Sequence, residues 1–199
     1  MVAVTKTWPV EVCRAALDAG LQHLGENRVQ EAEPKIEALP DAEWHLVGRL
    51  QSNKARRAAR HFRWIHAVDS LPLLARLDRE AAERTLLEVN VTGEEQKAGF
   101  DLTWFFAQTG DDGDLVATLR ELQHTRVVGL MTMAREGADE AEARDTFAKL
   151  RGLRDRLQER SGIGLPELSM GMSGDAEAAV AEGATLVRIG TALFGPRHD

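Results

Sequence analysis

The sequence has no tyrosine and a single cysteine, Cys13. One thiol excludes an intramolecular disulfide and any zinc site built on several cysteines. Lysine is also scarce: five lysines stand against twenty arginines, so each lysine is a discrete candidate for chemistry. No run of roughly 18 apolar residues occurs, which argues against a membrane-spanning helix. The opening Met1-Val-Ala-Val-Thr-Lys6 lacks the charged and apolar regions of a secretory signal, so a cytoplasmic location is expected. Basic charge is not in excess: Lys and Arg total 25, Asp and Glu 32, and the net charge is −7. That balance argues against nucleic acid or an anionic membrane surface as a partner. The six histidines show neither i, i+4 nor His-x-His spacing, so no metal site is expected.

What the chain does contain is alternation. Its 199 residues are 43% apolar and 29% charged, the balance of one globular domain spanning residues 1–199. Short apolar runs at Met1–Thr5, Leu21–Leu24, Trp44–Val47, Trp64–Val68, Thr85–Val91, Val127–Met133, Glu167–Met170 and Leu186–Gly190 read as eight strands. Seven amphipathic segments lie between them. Val10, Cys13 and Leu17 share one helix face, with Gly20 as a stop, and Cys13 therefore belongs to the core. Phe147, Leu150, Leu153 and Leu157 line another helix, and Ala176–Ala181 forms a short one closed by Gly183. Strand and helix in alternation predict parallel βαβ units, and eight of them predict a (β/α)8 TIM-type barrel. An open doubly wound sheet is the architectural alternative. Eight strands need eight covering helices, and only seven are found. The seam between the last strand and the first is expected to lack its helix and to expose apolar surface.

In a parallel barrel the chemistry sits at the C-terminal ends of the strands. Val2, Val4 and Lys6 share a face by two-residue alternation, so Lys6 is placed at the barrel mouth beside apolar walls. A desolvated lysine is available as a neutral nucleophile toward carbonyls; the alternative is a lysine that snorkels to water. The other lysines lie in polar or helical contexts. Ser169-Met-Gly171-Met-Ser173-Gly-Asp links a strand to a helix through glycines, and Arg188-Ile-Gly190-Thr191 ends the last strand. Loops after strands seven and eight make a phosphate site in many barrels. Ser173 serves equally well as a helix cap. Arg188 reads either as a donor to a ligand inside the barrel or as half of an ion pair with Glu88 or Glu167. Asn27, with Gln30 three residues on, is either a cap or a pocket residue, and Ser52-Asn53 shares that ambiguity. Lys54-Ala-Arg-Arg-Ala-Ala-Arg60 is read as a solvated helix face. A lysine and a phosphate site across one mouth suit a Schiff-base aldolase or a Schiff base to pyridoxal phosphate. The aldolase would need Glu26 as its acid and base.

Several strings are similar to the pyridoxal phosphate homeostasis protein family. They include Ala3-Val-Thr-Lys-Thr7, Gly25-Glu-Asn-Arg-Val-Gln-Glu31, Trp44-His-Leu-Val-Gly-Arg-Leu-Gln-Ser-Asn-Lys54, Leu168-Ser-Met-Gly-Met-Ser173 and Val187-Arg-Ile-Gly-Thr-Ala-Leu-Phe-Gly195. Shorter matches are Val68-Asp69, Glu88-Val-Asn-Val91, Lys97-Ala-Gly99 and Gly129-Leu-Met131, and the whole set is collinear from residue 1 to about 197. The resemblance implies a barrel like the N-terminal domain of alanine racemase, holding pyridoxal 5′-phosphate as an aldimine on Lys6. Arg188 would approach the pyridine nitrogen. Ser173, Gly190 and Thr191 would hold the phosphate, with Ser169 and Gly171 close by, and Asn27 would line the ring pocket. Members of the family carry a helix and loop ahead of the lysine strand. Here either the native start lies upstream of Met1 or the barrel lacks that cover.

The resemblance implies a non-catalytic carrier that buffers pyridoxal phosphate and supplies apo-enzymes dependent on it. The alternative is an amino-acid racemase-like enzyme. A racemase of the resembling kind takes its second base from a tyrosine of another domain, and this sequence has none. An arginine opposite the pyridine nitrogen also disfavours ring protonation and weakens the electron sink. The seam leaves monomer and weak homodimer both open.

Overall fold

In the computed structural model, which describes residues 1–109 and 113–196, strands and helices alternate along the chain. Residues 197–199, the end of the expected domain, lie outside the described residues. The barrel strands are β1 (Val2–Val4), β2 (His23–Glu26), β3 (Glu43–Leu46), β4 (Trp64–Val68) and β5 (Arg84–Asn90). After a two-residue strand, β6 (Phe100–Asp101), which pairs with β5 off the ring, come β7 (Arg126–Met131), β8 (Glu167–Ser169) and β9 (Arg188–Ile189). Every pairing is parallel, in the order β8-β7-β5-β4-β3-β2-β1-β9. The remaining gap is bridged by Ser169 and Leu186, with Met170 N–H donating to Leu186 O (3.1 Å) and Arg188 N–H to Gly171 O (2.9 Å). The sheet thus closes on itself as the (β/α)8 barrel the alternation predicted.

The helices are α1 (Val10–Asp18), α2 (Val29–Ala38), α3 (Ala55–His61), α4 (Leu71–Arg79), α5 (Leu102–Gln108), α6 (Asp114–Glu121), α7 (Glu140–Ser161), α8 (Ala176–Ala181) and α9 (Thr191–Phe194). Among the described residues that is two more than the sequence pattern predicted. The stretch Leu102-Thr-Trp-Phe-Phe looks strand-like in composition, yet the Asp101 carboxylate accepts from Trp104 N–H (2.8 Å) and starts α5 there. A single turn, α9, follows the last strand, too short to register as a period. No described helix is long and apolar enough to cross a membrane.

Local backbone chemistry also moves one predicted strand. Leu21, read as the start of β2, belongs instead to the end of α1. Gly20 has φ +89°, its N–H reaches Leu17 O (2.8 Å), and Leu21 N–H reaches Ala16 O (3.0 Å). This is a Schellman closure, so the strand begins two residues later, at His23. The last strand shrinks from Leu186–Gly190 to Arg188–Ile189, because Leu186 is engaged with β8. The longest helix, α7, opens with a capping box between Asp139 and Glu142 and ends on Gly162 at φ +73°.

The strands are buried on both faces, as a covered parallel sheet requires. Outside the ring, Cys13, Ala32, Leu74, Leu77, Phe147, Leu150 and Leu157 pack onto Leu24, Leu46, Ile65, Leu87, Leu130 and Leu168. Inside it lies a second, smaller cluster of Val2, Ala67, Leu86, Met131 and Leu186. Burial of each leucine, isoleucine, valine, methionine or phenylalanine among them stabilises by roughly 1.5–3 kcal/mol. The interior cluster fills only part of the barrel, leaving a cavity toward the C-terminal mouth.

Candidate functional site

The first strand stops at Val4, and the chain turns out of the ring through Thr5, Lys6 and Thr7. Thr7 adopts φ +70°, a left-handed conformation costing a β-branched residue about 1–3 kcal/mol. Neighbouring bonds over-determine the turn: Thr5 N–H donates to Gly25 O (2.9 Å), Trp8 N–H to Thr5 O (3.1 Å), and Lys35 Nζ to Thr5 O (2.9 Å). The result is a half-buried Lys6 on the wall of a cavity of about 260 Å³. Asn27, Ser173, Arg188, Gly190 and Thr191 line the same cavity, with apolar surface from Val4, Trp8, Val47, Met133 and Met172. Six of the eight residues singled out from the sequence are thus brought together. Ser169 and Gly171 lie behind this wall. Ser169 is fully buried beneath Arg188, while Gly171, at φ +90°, packs where a Cβ would sit 2.5 Å from Ala179 Cβ.

Ser173 does not cap α8. That helix has Asp175 at its N-cap and no side-chain cap bond, whereas Ser173 Oγ accepts from Ala192 N–H at 3.1 Å. The loop after β8 is thereby joined to the turn after β9, where Gly190 O accepts from Phe194 N–H (3.0 Å). Ser173 and Thr191 are both exposed, so their hydroxyls face a region open to solvent. Asn27 is not a cap either: α2 has Arg28 at its N-cap with no side-chain cap bond. The Asn27 backbone lies against Gly48, where a Cβ would come within 2.5 Å of Asn27 O. Ser52-Asn53 forms a 3-10 turn with Lys54 rather than capping α3.

Arg188 is buried, and its partners are oxygens of the barrel rather than a carboxylate. Nη1 donates to Ser169 O (2.8 Å) and Ser169 Oγ (2.7 Å), and Nη2 to Thr132 O (3.0 Å). The expected alternative, an ion pair with Glu88 or Glu167, is replaced by this cradle; Glu167 accepts instead from Thr185. Burial lowers the Arg188 guanidinium to about 10, against attraction from Glu88 and Asp175, so it stays charged at neutral pH. Three of its five N–H groups are used in the cradle, leaving donors on the side that lines the cavity. Glu88 is pushed up to about 7 by burial and by Asp69, opposed by Arg188 and Arg49.

Glu26, the acid and base an aldolase would require, is committed elsewhere. It is fully buried, accepts from Thr5 Oγ (2.6 Å), and pairs with Lys35 Nζ (2.7 Å). Lys35, from its sequence context one more helical lysine, is part of this pair. It is 9% exposed and anchors the carbonyl next to Lys6. The sequence signal was present: Lys35 follows Val29 and Ala32 at three-residue steps, on the buried face of α2. The linear spacing of the histidines also concealed a cluster, for His23, His45 and His66 meet inside the barrel. They bond to one another in a line, and no group of three metal-binding side chains converges among the described residues. Cys13 is buried, and burial pushes its thiol up, consistent with a core role.

The amine, guanidinium and hydroxyl donors of this cavity fit a molecule bearing a carbonyl, a ring acceptor and a phosphate. The alanine racemase N-terminal domain family matches residues 1–198. The pyridoxal phosphate homeostasis protein of Synechocystis is 42% identical over 99% of this chain and 91% of its own length. That of Escherichia coli K12 is 38% identical over 99% of this chain and 85% of its own length. The structure of PipY from Synechococcus elongatus without PLP superposes with a TM-score of 0.89 at 45% identity, covering 98% of this chain and 91% of that one. The same protein with PLP bound gives 0.84 at 44% identity, covering 98% and 92%. Alanine racemase from Corynebacterium glutamicum, at 16% identity and a TM-score of 0.74 over 100% of this chain and 56% of that one, shares the fold. The chain belongs to the alanine racemase N-terminal domain family and, within it, to the pyridoxal phosphate homeostasis proteins.

Proposed function

We propose that this chain binds pyridoxal 5′-phosphate in the cavity at the barrel mouth and serves cytoplasmic vitamin B6 homeostasis as a non-catalytic carrier. The observation that carries this reading is the meeting of Lys6, Arg188, Ser173, Gly190 and Thr191 around one cavity. Relatives are named pyridoxal phosphate homeostasis proteins, and the PipY protein has been solved with PLP bound. When bound, the cofactor supplies an aldehyde that condenses with amines and a ring that accepts electrons.

Each residue then has a role that follows from its chemistry. Lys6 is the covalent anchor, kept at the rim by the Thr5 turn. Ser173 and Thr191 donate to the phosphate, with the bare backbone of Gly190 between them admitting close approach. Arg188 donates to the ring nitrogen, and its fixed charge holds that nitrogen unprotonated. Asn27 lines the ring pocket. Ser169 and Gly171 act from behind, one cradling Arg188 through its hydroxyl and the other accepting the Arg188 N–H.

The racemase-like reading has the fold and Lys6 in its favour. Arg188 weighs against it, because an unprotonated ring is a weak electron sink for carbanion chemistry. The exposed Ser173 and Thr191 suit hand-over of the cofactor to apo-enzymes, with the carrier acting as a monomer or weak homodimer.

The test is an absorbance titration with pyridoxal 5′-phosphate, followed by borohydride reduction and peptide mass mapping. The expected result is a visible band and a reduced adduct on the peptide containing Lys6, lost in Lys6→Ala. A label spread over Lys35, Lys54 and Lys149 would overturn the assignment. An amino-acid racemisation assay on the same sample separates carrier from enzyme: turnover abolished by Lys6→Ala would favour the enzyme.

A further inference from the structure

Below the cavity, the barrel interior holds a line of polar side chains that cofactor anchoring leaves unexplained. His23 on β2 meets His45 on β3, Nδ1 to Nε2, at 3.0 Å. His45 Nδ1 meets His66 Nε2, on β4, at 2.9 Å. His66 Nδ1 meets Ser169 Oγ at 2.8 Å, and Arg188 Nη1 donates to that same oxygen at 2.7 Å. His45, His66 and Ser169 are fully buried, and His23 is half-buried near the N-terminal end of the ring. The His45 ring is held flat against Trp64, with centroids 5.1 Å apart and planes 8° apart. The Arg84 guanidinium covers Trp64 in turn, 4.8 Å from its ring centroid. The stack fixes the plane of the middle imidazole and hence the direction of both its bonds.

Hydrogen-bond accounting orders the line. Arginine has no acceptor, so Nη1 donates and Ser169 Oγ accepts. The serine has one hydrogen of its own, and His66 Nδ1 is the acceptor in reach. His66 therefore carries its proton on Nε2 and donates it to His45 Nδ1. His45 likewise carries its proton on Nε2 and donates to His23 Nδ1. Were the line reversed, Ser169 Oγ would take two donors and its own hydrogen would be left without a protein acceptor at a fully buried position. A charged imidazole is also disfavoured there, since burial lowers His66 to about 3 and lowers His45 well below its ordinary value.

We propose that His66, locked in the Nε2–H tautomer by His45 and His23, is a positioning residue for Arg188. By drawing the Ser169 hydrogen toward itself, it turns the serine oxygen into an acceptor for the guanidinium and keeps Arg188 aimed at the cavity. The proposal deepens the reading of the cavity as a pyridoxal phosphate site, because what Arg188 is aimed at is the ring nitrogen. The order of the line, however, is a property of the ligand-free protein.

The test has two parts. Two-bond ¹⁵N–¹H correlation spectra of the ¹⁵N-histidine-labelled protein, without ligand, are recorded between about pH 5 and 8. His45 and His66 should show a bare Nδ1 and a protonated Nε2 throughout. A protonated Nδ1 at either residue, or a mixture of tautomers, overturns the proposal. The second part titrates pyridoxal 5′-phosphate into His66→Phe, which keeps a ring but loses both bonds, and into His66→Gln, which keeps a donor and an acceptor. The Phe variant should bind roughly tenfold more weakly and shift the absorbance of the bound cofactor, with Gln recovering most of both. Ser169→Ala should reproduce the Phe spectrum and stands in if His66→Phe fails to fold. Unchanged affinity and spectrum in the variants overturn the positioning role. If the wild-type protein shows no band with pyridoxal 5′-phosphate, the cofactor reading fails, while the tautomer spectra still decide the order of the line.

Discussion

Replacing Lys35 by methionine isolates the contribution of a buried ion pair to the strand that carries Lys6. The change removes the ammonium and keeps most of the aliphatic stem. Glu26 has no solvent exposure, and its Oε2 already lacks a partner. Its Oε1 is shared between Lys35 Nζ at 2.7 Å and Thr5 Oγ at 2.6 Å. Without Lys35, a buried carboxylate keeps one hydroxyl as its only compensation. Breaking such a pair from one side costs about 3–5 kcal/mol. At about 2–4 °C per kcal/mol for a chain of this size, the melting midpoint should fall by roughly 6–20 °C. Urea and thermal unfolding of the ligand-free protein measure this directly. The double variant Glu26→Leu with Lys35→Met leaves no charge behind and should recover most of the loss, since apolar replacement of a whole buried pair is often neutral. Lys35 also holds Thr5 O at 2.9 Å, next to Lys6, so the yield of the borohydride-trapped adduct should drop in the single variant and return in the double. A single-variant loss below about 1 kcal/mol, or a double variant no more stable than the single, would refute the argument.

Further outcomes follow from other residues. Glu88 keeps its proton up to about pH 7 in the folded protein, whereas an unfolded glutamate gives it up near 4.5. The folded state binds the extra proton in that window, so stability falls as pH rises from 4.5 toward 7, by roughly 3 kcal/mol in all. Glu88→Gln should flatten that slope, which unfolding at pH 5 and pH 8 would show; an unchanged slope would mean that Glu88 is not its source. Gly129→Ala should destabilise by roughly 3 kcal/mol or more, seen as a lowered unfolding midpoint, because overpacked cores already lose 1–3. Its Cβ would stand 1.9 Å from Glu167 O, on the strand it pairs with. Ser173→Ala should weaken pyridoxal 5′-phosphate binding by roughly ten- to a hundredfold while leaving pyridoxal, which has no phosphate, unaffected. Equal losses for both ligands would place the phosphate elsewhere.

The sequence alone determined the architecture and the main wall of the site. Eight apolar runs separated by amphipathic segments demand a parallel sheet covered on both faces, and two-residue alternation carries Val2, Val4 and Lys6 onto one side of it. These are local properties, readable because side-chain direction in a strand has a fixed period. Strand ends then put Asn27, Ser173, Arg188, Gly190 and Thr191 among the residues of one mouth, because closure of the barrel gathers all its C-terminal ends there, and the family resemblance picks them out from the rest. What a side chain bonds to once gathered is not periodic, and only the tertiary structure decided it. Lys35 lies 30 residues from Thr5 and Ser169 lies 103 residues from His66, and neither separation leaves a trace in spacing. Arg188 was legible as a buried charge needing partners, but the choice of Ser169 and Thr132 oxygens over Glu88 depended on which strands closure made neighbours. Caps behaved likewise. Asn27 and Ser173 carry the chemistry of helix caps, yet neither caps its helix, and Ser173 is drawn to the Ala192 N–H in the turn after β9. The histidine line is the extreme case: three residues with no shared motif become one hydrogen-bonded unit because β2, β3 and β4 are adjacent strands and each histidine stands two residues beyond the register partner of the one before it, Glu43 opposite His23 and Trp64 opposite His45.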